Sequence, residues 1–370
     1  GYSFSKLEGR EETFGRIYDH FSNKPSDLYK DADSLDDLKT SIMIFRALVG
    51  AGWVEDAARF YASGFAHVLK FNLNAYSTII QLLSSLFEVN LNSELYVANR
   101  VFILNDLAIA LAELGDTPHA LALLRRTIAY DLKDGDTQSL SIGIHNYSEY
   151  LRDLNMLAAS HYGCRFAQAV ADDVGESSVS LACRVTLMEL CSTLNAWSDF
   201  EAALTHLDQN KFRITRQYIR KGAIELARAR MQFHRGENPR PTMDIGLELA
   251  RTDHALTQQM SLTALSAVIE LAAGDSALAD EAIDQSLAIA KRSGSCKQST
   301  YTALLAEIRL AQGDVQAAKD LIEEAFGLTM IEFDKAAIYN SAAIVYHGAG
   351  DLERARDYAL QAYTVAWADG

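Results

Sequence analysis

Four prolines in 370 residues leave most of this chain uninterrupted. Proline removes a backbone donor and clashes with the preceding turn, so its scarcity favours helix. With 49% apolar residues, the composition suits an all-helical protein. Cysteine is as scarce: Cys164, Cys183, Cys191 and Cys296 are scattered through helical patterns without a CxxC pair. That argues for neither a zinc site nor a disulfide framework, and predicts buried thiols in a reducing cytosol. Basic residues are outnumbered 34 to 49, and the net charge of −15 makes the surface as a whole repel nucleic acid and anionic lipid. No uncharged apolar run approaches about 18 residues, so no membrane span is expected. Residues 1–12 are polar and charged, unlike a signal peptide. Enzyme signatures are missing as well: there is no phosphate loop, HExxH, GxSxG or strand-linked GxGxxG. The nine histidines include no i, i+4 pair. The expectation is a cytoplasmic chain with no catalytic residue, no cofactor and no metal.

What is present is repetition. In residues 104–128, Leu104, Leu107, Ala108 and Leu111 form one apolar stripe, and Ala120, Leu121, Leu124 and Ile128 form a second. Between them Leu114-Gly115-Asp116 breaks the pattern, with Asp116 or Thr117 able to cap the next helix and Pro118 in its first turn. Such a hairpin cannot bury both faces alone. Copies recur as Gly52/Ala57, Gly313/Ala318 and Gly350/Ala355, with weaker ones at Asn155/Ser160, Trp197/Ala202 and Gly274/Ala279. Gly236 has the turn without the spacing. From Gly115 the intervals are 40, 42, 39, 38, 39 and 37 residues. Glu281-Ala282 suggests a three-residue insertion in the sixth unit, and two prolines in 236–241 suggest a stiff, extended loop in the fifth.

The pattern Gly-x-x-x-x-Ala, with Ala108, Ser148, Ala306 and Ala343 seven residues before the turn, resembles the tetratricopeptide repeat. The period is a few residues longer than that family's usual length of about 34. The resemblance implies an all-α, right-handed superhelical solenoid of about eight antiparallel hairpins over residues 38–370, irregular near 70–100. Residues 1–37 read as a lead-in helix (3–22) and an acidic linker, with Ser34, Asp36 and Asp37 opening the next helix. Leu73–Phe87 reads as an extra helix, with a turn at Asn90 to Asn92. The first residue is Gly rather than Met, and the last hairpin lacks a polar capping helix. The first suggests a piece of a longer chain with a covalently attached upstream domain; the second suggests that the chain continues or that a partner covers this end.

The family's groove positions fall on Phe102, Asn105 and Ile109 in the second unit, and on His145, Glu149 and Arg152 in the third. Arg184 follows in the fourth, Arg230 and Phe233 in the fifth, Glu307 in the seventh, and Asn340, Ile344 and His347 in the eighth. Each could equally be a solvated helix residue. Residues 211–240 run against the overall charge, with nine basic residues and two acidic. On an unbroken helix Arg213, Arg216 and Arg220 would share a face suited to a carboxylate or phosphate partner, or they pair with acids of adjacent repeats. The lead-in helix and long repeats resemble the C-terminal sensor regions of bacterial STAND-class signalling ATPases. That likeness implies a non-catalytic module binding a protein, a peptide or a small effector. A ligand-binding module of a transcriptional regulator and a plain assembly scaffold are the alternatives.

Overall fold

The computed structural model describes residues 9–29, 32–88, 99–194, 196–210 and 222–366. Among these, every regular element is helical and consecutive helices pack in pairs: the chain is an all-α, TPR-like solenoid. No helix among the described residues is long and apolar enough to cross a membrane. The chain divides into two compact units, residues 1–111 and 112–370.

Unit 1 contains α1 (Arg10–Ser22), α2 (Lys39–Ala51), α3 (Val54–Phe60), α4 (Tyr76–Glu88) and α5 (Arg100–Glu113) up to residue 111. The lead-in helix packs on α2: the Phe14 ring lies over Gly50, where a Cβ would come within 2.3 Å of it. Trp53 closes over the same helix, donating to Glu11 Oε1 at 3.0 Å and meeting Tyr18 edge-on. Ser34 and Asp37 form a reciprocal capping box before α2. The extra helix is α4, while the turn expected at residues 90–92 lies outside the described residues. Between α3 and α4 two π-turns, Tyr61–Phe65 and Val68–Asn72, swing Lys70 inward onto Asp106 of α5 at 2.5 Å.

Unit 2 begins with α6 (Thr117–Asp134). Six hairpins follow: α7 (Thr137–Asp153) with α8 (Leu157–Asp173), α9 (Ser177–Thr193) with α10 (Trp197–Asn210), and α11 (Ala223–His234) with α12 (Arg240–Thr252). The rest are α13 (Leu256–Ala272) with α14 (Ser276–Ser293), α15 (Gln298–Ala311) with α16 (Val315–Gly327), and α17 (Glu332–Gly348) with α18 (Leu352–Ala366). The turns follow the expected chemistry. Asn155 stands at φ +59° where Gly236, Gly274, Gly313 and Gly350 serve the corresponding turns, and Asp275 and Asp314 accept from backbone N–H groups three residues on. Asp116 differs, because its carboxylate is held by His119 at 2.8 Å instead.

The small residues after each turn are the tightest points of the array. Ala120, Ser160, Ala279 and Ala318 have no exposed surface. Full burial of Ala279 rules out the insertion expected at Glu281-Ala282. Trp197 opens α10 rather than sitting in the turn, Pro241 lies in the first turn of α12, and Ala342 rather than Ala343 is the buried residue of the last unit. Apolar clusters join successive hairpins. Met188, Phe200, Leu207 and Ala227 link α9, α10 and α11, and Ile308, Ile283 and Met260 link α13, α14 and α15. Each large side chain so buried contributes about 1.5–3 kcal/mol.

Asp131, near the end of α6, is 2% exposed, faces Gly143 of α7, and its Oδ2 finds no partner. Burial, with Asp136 and Asp134 nearby, pushes its carboxyl up from 3.8 to about 6. A raised carboxyl pKa stabilises the folded state below about pH 4, and that contribution is lost as pH rises through 6. Asp131→Asn should therefore gain about 1–2 kcal/mol at pH 7 and nothing at pH 3.5, flattening stability between those limits. Denaturant melts at several pH values check this; an unchanged slope contradicts it.

Candidate functional site

The six first helices of unit 2 form its inner layer. Each touches the next, α7 to α9, α9 to α11, α11 to α13, α13 to α15 and α15 to α17, and α17 returns to touch α7. The array therefore closes on itself, and the groove read from the sequence is a lumen.

Charge concentrates there. Arg152 Nη1 donates to Glu189 Oε2 at 2.5 Å, with Asp153 3.7 Å from the same guanidinium. Lys297 donates to both carboxylate oxygens of Asp334 at 3.0 and 2.9 Å and also feels Asp153. Arg152 and Lys297 both lie over the Phe333 ring, 5.9 and 6.0 Å from its centroid. Arg230 lies near Glu189 and the Tyr301 hydroxyl, and Ser261 of α13 stands beside that hydroxyl. The contributors stand on or immediately before α7, α9, α11, α13, α15 and α17.

Desolvation is the largest influence on Arg152, Asp153, Glu189, Lys297 and Tyr301, which lie far from bulk water. It pushes Asp153 up to about 6 against the pull of Arg152 and Lys297. Glu189 is held below its ordinary value by Arg152 and Arg230, which outweigh its burial. Yet the side chains of Arg152, Glu189 and Lys297 keep 17, 25 and 32% of their surface. Enclosed by protein and still reachable by solvent, they line a polar recess. His145, at its edge, places Nε2 3.1 Å from Thr186 Oγ1, and burial lowers its pKa and favours the neutral ring.

Of the residues expected to line the groove, the lumen gathers His145, Glu149, Arg152 and Arg230. Glu307 is half-buried between α15 and α17, accepting from Ser341 at 2.5 Å. Arg184 turns outward, 3.7 Å from Asp172 of α8. Phe233 packs into the core of α11, α12 and α13 beside Met243 and Leu262. Asn340, Ile344 and His347 are exposed on α17 and join none of these ion pairs. Phe102, Asn105 and Ile109 belong to unit 1, where Phe102 packs near Tyr61 and Lys70. Arg213, Arg216 and Arg220 lie outside the described residues, and the helix carrying Arg230 starts at Ala223, after Gly222 at φ +94°.

Sequence reasoning missed Asp153, Glu189, Lys297, Tyr301, Phe333 and Asp334. A signal existed: Arg152 and Glu189, like Lys297 and Asp334, are opposite charges 37 residues apart, one repeat. All four cysteines are buried and free, and desolvation pushes Cys164 and Cys296 up to about 12, so they stay thiols. Among the described residues, no group of three His, Cys, Asp or Glu is placed to hold a metal. Unit 1 has its own recess of about 440 Å³, lined by Tyr18, Leu48, Trp53, Asp56, Arg59, Phe60 and Ser63.

The tetratricopeptide repeat family model matches residues 103–126, which run from α5 into α6. Among solved structures, the chain is similar to a Signal Transduction ATPase with Numerous Domains (STAND) protein with a tetratricopeptide repeat sensor from Pyrococcus horikoshii. The identity is 12% and the TM-score 0.47; the match covers 98% of this chain and 53% of that one. This chain thus spans about half the length of that protein. No curated protein matches the sequence.

Proposed function

We propose that unit 2 is a non-catalytic capture module whose binding site is its lumen, and that it takes a short peptide segment or small effector bearing charge. The observation that carries this is the meeting of charged side chains from the inner helices in one solvent-reachable recess. Buried ion pairs seldom stabilise a fold better than apolar residues of the same volume, so recognition is the better account of them. Arg230 acts on Glu189, and Glu149 on Arg152, without a direct salt bridge among the described residues, so one guanidinium and one carboxylate can still meet a ligand. An open groove would admit a long extended chain; a closed lumen selects something short. TPR-type repeats are interaction scaffolds, and this one presents its polar surface inward.

A thermal-shift screen of short charged peptides and small organic anions and amines tests the reading. Compounds that raise Tm should bind Arg230→Gln at least about tenfold more weakly, since a charge-assisted hydrogen bond is worth roughly 1.5–3 kcal/mol. If every binder holds equally well to that variant, the lumen is not the site.

In the wider reading, this module is the sensor of a STAND-type chain whose nucleotide-binding domain lies upstream. The lead-in helix and the long repeats support it. A phosphate loop encoded upstream of Gly1 is the expected finding. A helix-turn-helix there would favour the transcriptional regulator, and neither motif the plain scaffold.

A further inference from the structure

The ring of unit 2 closes through a seam unlike its other junctions. Consecutive hairpins are joined by apolar clusters, such as the one running through α15, α16, α17 and α18. The seam is assembled from small and polar contacts between ends far apart in sequence. Asn155 donates its side-chain amide to Val365 O at 2.6 Å, and Cys296 N–H donates to Glu113 O at 3.2 Å. Thr329 lies so close over Gly115 that a Cβ there would meet its Cγ2 at 2.5 Å, and Leu114 sits against Gly294. Arg152 over Phe333 continues the seam into the lumen.

Asn155 has two separable roles. Its backbone, at φ +59°, ends α7 in the left-handed conformation. Its side chain reaches across the seam to a carbonyl in the last turn of α18, where such groups lack partners within the helix. Its short polar side chain is what lets Asn occupy that turn, and here the same amide also bonds across the seam.

We propose that this seam is a reversible latch, with Asn155 as its catch, and that release parts α7 from α17 and opens the lumen to ligand. Parting changes nothing inside any hairpin, because repeats depend on their neighbours along the chain. The proposal rests on the lumen being the binding site, but the latch can be tested without a ligand. The swinging element is the α15–α18 end of the array.

Asn155→Gly keeps the left-handed turn and removes only the catch. Its expected result is amide exchange about tenfold faster at Cys296 and in the last turn of α18, the effect of one lost hydrogen bond. Exchange in α13 and α14 should stay as in the parent, and the radius of gyration should rise. The converse variant is Gly115→Cys with Thr329→Ala, which sets a new thiol beside Cys296. The two Cβ atoms would lie about 3.4 Å apart, just short of the usual disulfide range, and the cysteine would have to hold Gly115's φ of +92°, a strain that the bond must outweigh. Oxidised, it should slow exchange at the seam and, combined with Asn155→Gly, restore the parent's radius of gyration. Unchanged seam exchange and size in Asn155→Gly would overturn the proposal, as would a cross-link that leaves exchange unaltered. Neither result bears on whether Arg230→Gln loses ligand, so the two readings fail separately.

Discussion

Asp106→Ala should remove about 3–5 kcal/mol from the stability of unit 1, a large share of the roughly 5–15 kcal/mol that holds a domain folded. The Asp106 side chain has no exposed surface. Lys70 Nζ lies 2.5 Å from Oδ1, the Tyr61 hydroxyl donates to Oδ2 at 3.3 Å, and the ammonium is flanked by the rings of Phe71 and Phe102. Burial and the Asp106 charge push the Tyr61 phenol well above its ordinary 10, so it stays a donor. Removing the carboxylate leaves a nearly buried ammonium beside aromatic faces with nothing to neutralise it. The penalty comes from that stranded charge rather than from the lost attraction. Replacing both partners, as Lys70→Met with Asp106→Leu, should recover most of the loss. Urea unfolding of the two variants decides the matter. A single variant that loses less than about 1 kcal/mol, or a double that is no better, would show the pair to be incidental.

Arg152→Met should cost unit 2 a comparable amount at neutral pH, about 3–5 kcal/mol, because one guanidinium serves several acids. Glu189 is its direct partner, Asp153 stands 3.7 Å away, and the Glu149 charge also acts on it. Without the cation their ionised forms lose support and their pKa values rise. A raised carboxyl pKa shifts stability toward acid, and Asp153 already stands at about 6. The destabilisation should therefore be greatest near pH 7.5 and shrink as pH falls through 6. Glu189→Ala should be milder, since Asp153 remains beside Arg152. Melts of both variants at pH 5.5 and 7.5 check the ordering. A loss independent of pH would mean that packing of the Arg152 stem, and not its charge, is what the lumen needs.

Both effects sit where local sequence rules stop. Lys70 is carried by two π-turns around Gly64 at φ +107°, which no helical periodicity announces. Arg152 was visible as an inner-face residue, but its partners were not. Lys297 precedes α15 and Asp334 opens α17, positions that an open array leaves at its rim. They become interior only because α17 comes back to α7. Arg184 and Phe233 show the reverse: both stand in the expected register, yet one is drawn outward to Asp172 and the other into the adjoining core.

The amino-acid sequence alone determined the helices, the turns and the tight small-residue contacts within each hairpin, down to Asn155 in the left-handed position. Those depend on a residue and its neighbours within a few turns, where backbone sterics and side-chain volume act directly. Closure of the inner ring, and with it the charged lumen and its seam, was decided by the tertiary structure. Where α17 meets α7 depends on all five junctions between the inner helices at once, each set by its own packing, and no stretch of sequence holds that sum.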